Sequence, residues 1–148
     1  MRLDELELVC REAATQLAQR PTRPLPASVV LPMPEATRVV ALTDFPDDDP
    51  GRFDLLERFA RDRMRAANAP CYGFLAEGLA GSQDGEPLEV VVVVFGARGH
   101  HPRVTAAPLT PEGLGSFTDA EELEPTAMPF LSPLQHAVDA AQPPDAFQ

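Results

Sequence analysis

The residues whose types invite chemistry are Glu77, Cys71 and the adjacent pair His100 and His101. Glu77 is the single charge in an otherwise apolar stretch, residues 71–80. A carboxylate held between apolar strands has its pKa raised by desolvation and can serve as a general acid or base. The competing role is structural, either an ion pair with an arginine such as Arg38 or Arg103 or a place on an exposed sheet edge. Cys71 would need a histidine beside it to become a nucleophile; otherwise it and Cys10 are small buried hydrophobes. His100 and His101 are the candidates for metal ligands. Neighbouring side chains at a strand end point apart, and neither an H-E-x-x-H pattern nor a Cys-His comb supports them. His136 stands alone.

Other motifs fail on their spacing. Ser82 and Ser116 lack the G-x-S-x-G setting of a nucleophile elbow. Gly78, Gly81 and Gly85 are followed by no G-K-[ST], and the chain contains no lysine, so no phosphate loop is present. Asp44, Asp47, Asp48 and Asp49 lack the order and the twelfth-position glutamate of an EF-hand. Asp49 before Pro50 reads instead as a helix N-cap. No catalytic residue, cofactor or metal is therefore expected, with Glu77 and Cys71 the catalytic candidates to be tested.

Charge narrows the partners. The formal net charge is −11, and residues 81–148 hold 10 acids against 2 arginines. Phosphate backbones and anionic membranes attract Lys and Arg, so direct nucleic-acid or membrane binding is disfavoured. A basic protein partner is compatible. Glu121, Glu122 and Glu124 are the acidic candidates for such a contact. The two cysteines have no metal-type spacing, and Arg2, Asp4, Glu5 and Glu7 interrupt any leader-like apolar run, which suits a reducing cytoplasm. Arginine without lysine, with abundant alanine, valine and proline, is the usage of a GC-rich bacterial coding sequence.

These residues must be positioned by a sheet centred on residues 88–96, where Val90 to Val94 and Phe95 follow without a polar residue. Six apolar residues are too few to cross a bilayer, and five valines favour a strand. Because successive side chains point to opposite faces, the run demands cover on both. The 148 residues suit one α+β domain over residues 1–142, with a frayed tail at 143–148. An N-terminal helix opens at Asp4, with Glu7 completing a capping box, and runs to Pro21. Prolines flank a short strand at residues 28–31, which assigns it to a sheet edge, and it forms a hairpin with residues 37–42. A second helix spans residues 50–68; Arg52, Arg58, Arg61 and Arg65 lie on its solvated side, paired as Asp54 with Arg58 and Glu57 with Arg61. Strands at 71–80, 88–96 and 103–109 form a meander joined by turns at 81–86 and 97–102. An acidic connector leads to a short helix capped by Ser132 and Pro133. The antiparallel sheet of about five strands carries two or three helices mainly on one face.

If the opposite face is bare, Val91, Val93 and Phe95 are the contact residues of a homodimer or a hetero-complex. The leading functional expectation is a non-enzymatic acidic interaction module, an adaptor or chaperone-like subunit. The alternatives are a small enzyme or ligand-binding domain using Glu77, Cys71 or His100 and His101, and an acidic decoy for a nucleic-acid-binding protein.

Overall fold

The computed structural model describes residues 1–81 and 85–148, and Ser82 lies outside them. The valine run does form the central strand. In chain order the elements are α1 (Leu3–Ala18), β1 (Ser28–Pro32), β2 (Thr37–Ala41), α2 (Asp49–Phe59), β3 (Cys71–Ala80), β4 (Leu88–Ala97), β5 (His100–Thr110), β6 (Gly113–Leu114), β7 (Glu121–Glu122) and α3 (Ser132–Asp139). A π-helical stretch, Ala60–Arg65, continues α2, and a 3-10 turn, Pro129–Leu131, leads into α3. All strand pairs are antiparallel, in the order β2-β1-β3-β4-β5-β6, with β7 also on β5. The architecture is α+β, with seven strands among the described residues where about five were expected. The two additional strands are two-residue pieces of the acidic connector, which runs back along β5 and bonds to it.

The core is two apolar layers separated by the sheet. On one side α1 lays Leu6, Cys10, Ala13, Ala14 and Leu17 against Leu75, Val91, Val93 and Phe95. On the other, α2, the π turn and α3 contribute Leu56, Met64, Leu134 and Val138 against Val29, Tyr72, Phe74 and Val94. Two helices share one face, as their number suggested, but α1 covers the other. Val91, Val93 and Phe95 are no more than 1% exposed. The expected contact surface for a second copy is therefore internal: the stripe of α1 covers it, with Leu25, Leu109 and Phe147 in the same layer. The strand itself is continuous, because β3 matches β4 residue for residue from Cys71↔Ala97 to Ala80↔Leu88.

Several boundaries differ from the sequence expectation for local reasons. The prolines around β1 do not put it at an edge; it lies between β2 and β3, and β2 is the outer strand. Pro32 ends β1, while Pro24 and Pro26 precede it, so the missing N–H groups fall at the ends of its ladders. Helix α1 starts one residue before Asp4, with the Arg2 amide donating to Glu5 Oε1 at 3.3 Å. The N-cap of α2 is Asp48, whose carboxylate accepts from the Gly51 amide at 2.9 Å, with Asp49 in the first turn. Leu131, not Ser132, occupies the N-cap position of α3. Among the described residues neither expected pair on α2 is within ion-pair distance; Arg61 pairs with Asp62 at 3.0 Å, and the i,i+4 pair is Glu7 with Arg11. The tail is not frayed. Phe147 is 6% exposed, packs into the α1 layer and meets the His100 ring edge-on at 5.4 Å.

Candidate functional site

The sheet leaves one interior strand unfinished. β1 pairs with β3 only where Ser28, Val29 and Val30 face Leu75, Phe74 and Gly73, although β3 continues five residues further, to Ala80. Continuing that ladder would require N–H groups from Pro26 and Pro24, which have none. Residues 76–80 are therefore bonded to β4 on one side, and among the described residues no backbone group pairs with them on the other. Leu79, 72% exposed, lies on this stretch.

Beside the open edge, on the face of α2 and α3, is a cleft of about 770 Å³ bordered by Ala76, Gly78 and Val92. That volume is within the range of ligand-binding pockets, roughly 300–1,000 Å³. Its floor is an aromatic trio. Phe45, Phe74 and Phe130 lie with ring centroids 5.8–6.0 Å apart and tilted or edge-on, the favoured arrangement of ring quadrupoles. Arg52, from the first turns of α2, reaches into it. The Asp48 cap starts the helix tightly against Pro46, and a side chain at Gly51 would overlap both residues, with a Cβ 2.8 Å from each. The Arg52 Nε then donates to the Pro46 carbonyl at 2.7 Å. Its guanidinium carbon sits 5.3 Å from the Phe45 centroid and 5.2 Å from that of Phe130. No acceptor meets its Nη atoms among the described residues, and no carboxylate is within ion-pair distance.

Two non-glycine residues with left-handed backbone, Asp44 (φ 56°) and Met128 (φ 52°), also line the cleft. Such conformations cost on the order of 1–3 kcal/mol each and persist only where surrounding packing holds them. Here they flank Phe45 and Phe130, whose rings meet edge-on beside the Arg52 guanidinium.

A second groove, about 830 Å³, lies on the α1 face of the same edge and is of mixed lining, with Arg20, Glu77, Glu89 and Glu112 among its walls. Arg23 also lines it, but its guanidinium is occupied by the Ala18 carbonyl at 2.8 Å and the Thr22 carbonyl at 3.0 Å, closing the end of α1. Glu77 borders both grooves and is half-buried at the open edge. It pairs with neither Arg38 nor Arg103 among the described residues.

The other candidates are dispersed. Cys71 and Cys10 are buried in the α1 layer, and burial pushes both thiols up to about 12, which leaves no thiolate for nucleophilic attack at neutral pH. His100 and His101 begin β5 instead of lying in the turn, which is only Arg98 and Gly99, the glycine in the left-handed region (φ 76°). On a strand they diverge: His100 meets Phe147, while His101 Nε2 is 2.9 Å from the Leu123 carbonyl and ties down the connector. Among the described residues no group of three His, Cys, Asp or Glu side chains is placed to hold a metal ion. A third pocket brings together Tyr72, His101, Gln135 and His136. Tyr72 and Gln135 spend their polar atoms on structure: Tyr72 Oη donates to Gln135 Oε1 at 3.3 Å, and Gln135 Nε2 donates to the Ala97 and His100 carbonyls at 3.0 and 3.1 Å. Burial raises the Tyr72 phenol above its usual range. Glu121, Glu122 and Glu124 are exposed, but their segment serves to cover the β5 edge, where Glu122 faces Arg103 and Glu121 faces Val104.

The sequence reading missed Arg52, Phe45 and Phe130. It grouped Arg52 with the solvated arginines of α2, and the available signal was an aromatic residue and a proline immediately ahead of the helix cap. The fold and the cleft define an α+β domain with helices on both faces of an antiparallel sheet and an open main-chain edge between two grooves. No family model, curated protein or solved structure matches the chain. Among the described residues no helix is long and apolar enough to cross a membrane.

Proposed function

We propose that the chain is a non-enzymatic interaction module, of adaptor or chaperone-like kind, that takes an extended segment of a partner protein alongside β3. One observation carries this reading: β1 leaves β3 at Leu75 while β3 runs on to Ala80, opening a main-chain edge that borders an apolar cleft. An added strand would gain ladder hydrogen bonds from residues 76–80. Its alternate side chains would point to opposite faces, one set into the aromatic cleft and the other toward Glu77, Glu89 and Glu112. Alternating apolar and basic residues suit that pair of surfaces, in keeping with the acidic charge of the chain. β2 is also an open edge, but only its last residue, Ala41, borders the cleft, and it carries Arg38 in an exposed position, a common guard against strand pairing. The two free, buried thiols favour a reducing, cytoplasmic setting.

The test is selection of random heptapeptides by the immobilised protein, from one library displayed within a chain and another at a free C-terminus, followed by amide hydrogen exchange of the complexes. Slowed exchange at residues 76–80 is the expected result. Protection confined to β2, or no selected peptide from either library, would overturn the reading.

A further inference from the structure

We propose that the cleft is a receptor for a carboxylate, and that the segment added to β3 is the C-terminus of the partner, with an apolar last residue on the aromatic floor and its α-carboxylate on Arg52. The inference rests on the strand-addition reading and specifies its ligand. Arg52 is the one cation among the described residues that line the cleft. Its Nε is already bonded to Pro46, and Phe45 and Phe130 pack around the guanidinium carbon, which fixes the fork in place. The two Nη groups keep their donors, and a guanidinium fork matches a carboxylate by two parallel hydrogen bonds. Cation–π contact holds the charge in an apolar setting without neutralising it. An arginine serving only to staple α2 to the aromatic rings would be expected to spend those donors on local carbonyls, as Arg23 does on the Ala18, Arg20 and Thr22 carbonyls.

The polarity of the site is consistent with one orientation. Asp44 and Glu77 are its two carboxylates among the described residues, so an anion is accepted at Arg52 and disfavoured at the Glu77 rim. An extended C-terminal segment has this distribution: a terminal negative charge, and amides and side chains leading away from it along residues 76–80. An internal segment has no charge to place on Arg52.

The comparison of the two heptapeptide libraries tests this directly. Enrichment from the free-C-terminus library alone, with an apolar final residue, is expected. The best free-acid peptide should then bind at least tenfold more tightly than the same peptide amidated at its C-terminus, by fluorescence polarisation. R52Q should abolish that difference and R52K restore part of it, with thermal melting showing that both variants fold. Equal enrichment from both libraries, or equal affinity of acid and amide, would overturn the carboxylate receptor and leave strand addition standing. Peptides that distinguish acid from amide but do not protect residues 76–80 would overturn strand addition. A preference for the acid that survives R52Q would remove Arg52 from the site.

Discussion

Replacing Gly73 by alanine sets two effects of opposite sign against each other. Glycine within a strand loses more conformational freedom on folding than alanine, so the substitution should by itself stabilise the fold by about 0.5–1 kcal/mol. Gly73, however, is where α1 crosses β3. A Cβ built there would overlap the Cys10 sulfur and stand 3.2 Å from Val30 Cβ and 3.5 Å from Cys10 Cβ. Cys10 and Val30 are fully buried, so neither can move into solvent. Overpacking at such a site costs about 1–3 kcal/mol, and the net expectation is a loss of about 1–2 kcal/mol. In thermal melting this is a fall of roughly 2–8 °C, at about 2–4 °C per kcal/mol for a chain near this size. G78A is the internal control on the same strand, because its Cβ would meet only Val92 Cγ2 at an ordinary 3.5 Å. It should be neutral or stabilising. Urea unfolding followed by circular dichroism measures both. The double variant C10A/G73A should be less destabilised than the sum of the single changes, because the alanine at position 10 vacates the overlapped volume. G73A as stable as the native chain, with Cys10 unmodified, would refute the close crossing of α1 over β3.

The buried thiols give a pH dependence. Each is held neutral in the fold to about pH 12, mainly by desolvation, against an ordinary value of 9.0. The unfolded chain therefore loses these protons first as pH rises, and stability should fall above pH 9, by on the order of 1 kcal/mol per thiol at pH 10, with no contribution below pH 8. C10A and C71A should each flatten the pH 9–10 limb in urea titrations, and a stability flat across that interval in the native chain would contradict the burial. Removal of Phe147 and Gln148 should cost about 2 kcal/mol, because Phe147 fills part of the α1 layer; an unchanged urea midpoint would return the tail to solvent. Arg11 bonds the Thr118 carbonyl at 3.2 Å, pairs with Glu7 and stacks 5.0 Å over the Phe117 ring. R11M should accelerate hydrogen exchange of the Thr118 amide, which bonds to Ala106 at 2.8 Å, while the amides of β3 and β4 stay protected.

The boundary between what was legible and what was not follows the range of each interaction. The valine run, the meander, the helices α1 and α2 and the burial of both cysteines are written in short-range patterns: a two-residue period without polar interruption, a stripe at helical spacing, a cap followed by proline. Those patterns say that a residue is buried, and Val91, Val93 and Phe95 are buried as their types demand. They do not say which element covers them. Similarly, the prolines around β1 were read as placing it at an edge, which is wrong, because which ladder they interrupt and at which end depends on the neighbours that β1 acquires. Pro24 and Pro26 lie just ahead of the last β1–β3 pair, Ser28↔Leu75, so the ladder that stops beside them is the one with β3. The candidate site is of this second kind throughout. Phe45, Arg52, Phe74 and Phe130 are separated in the chain by up to 85 positions, and nothing in their local spacing announces that they meet. Periodicity and turn chemistry act over a few residues, so the sequence by itself determined the longer helices and strands and the absence of a recognisable catalytic motif. Only tertiary packing decided that α1 closes the second face, that Phe147 returns to the core, and that the sheet opens beside an arginine packed against two phenylalanine rings, because each depends on contacts between segments distant in the chain.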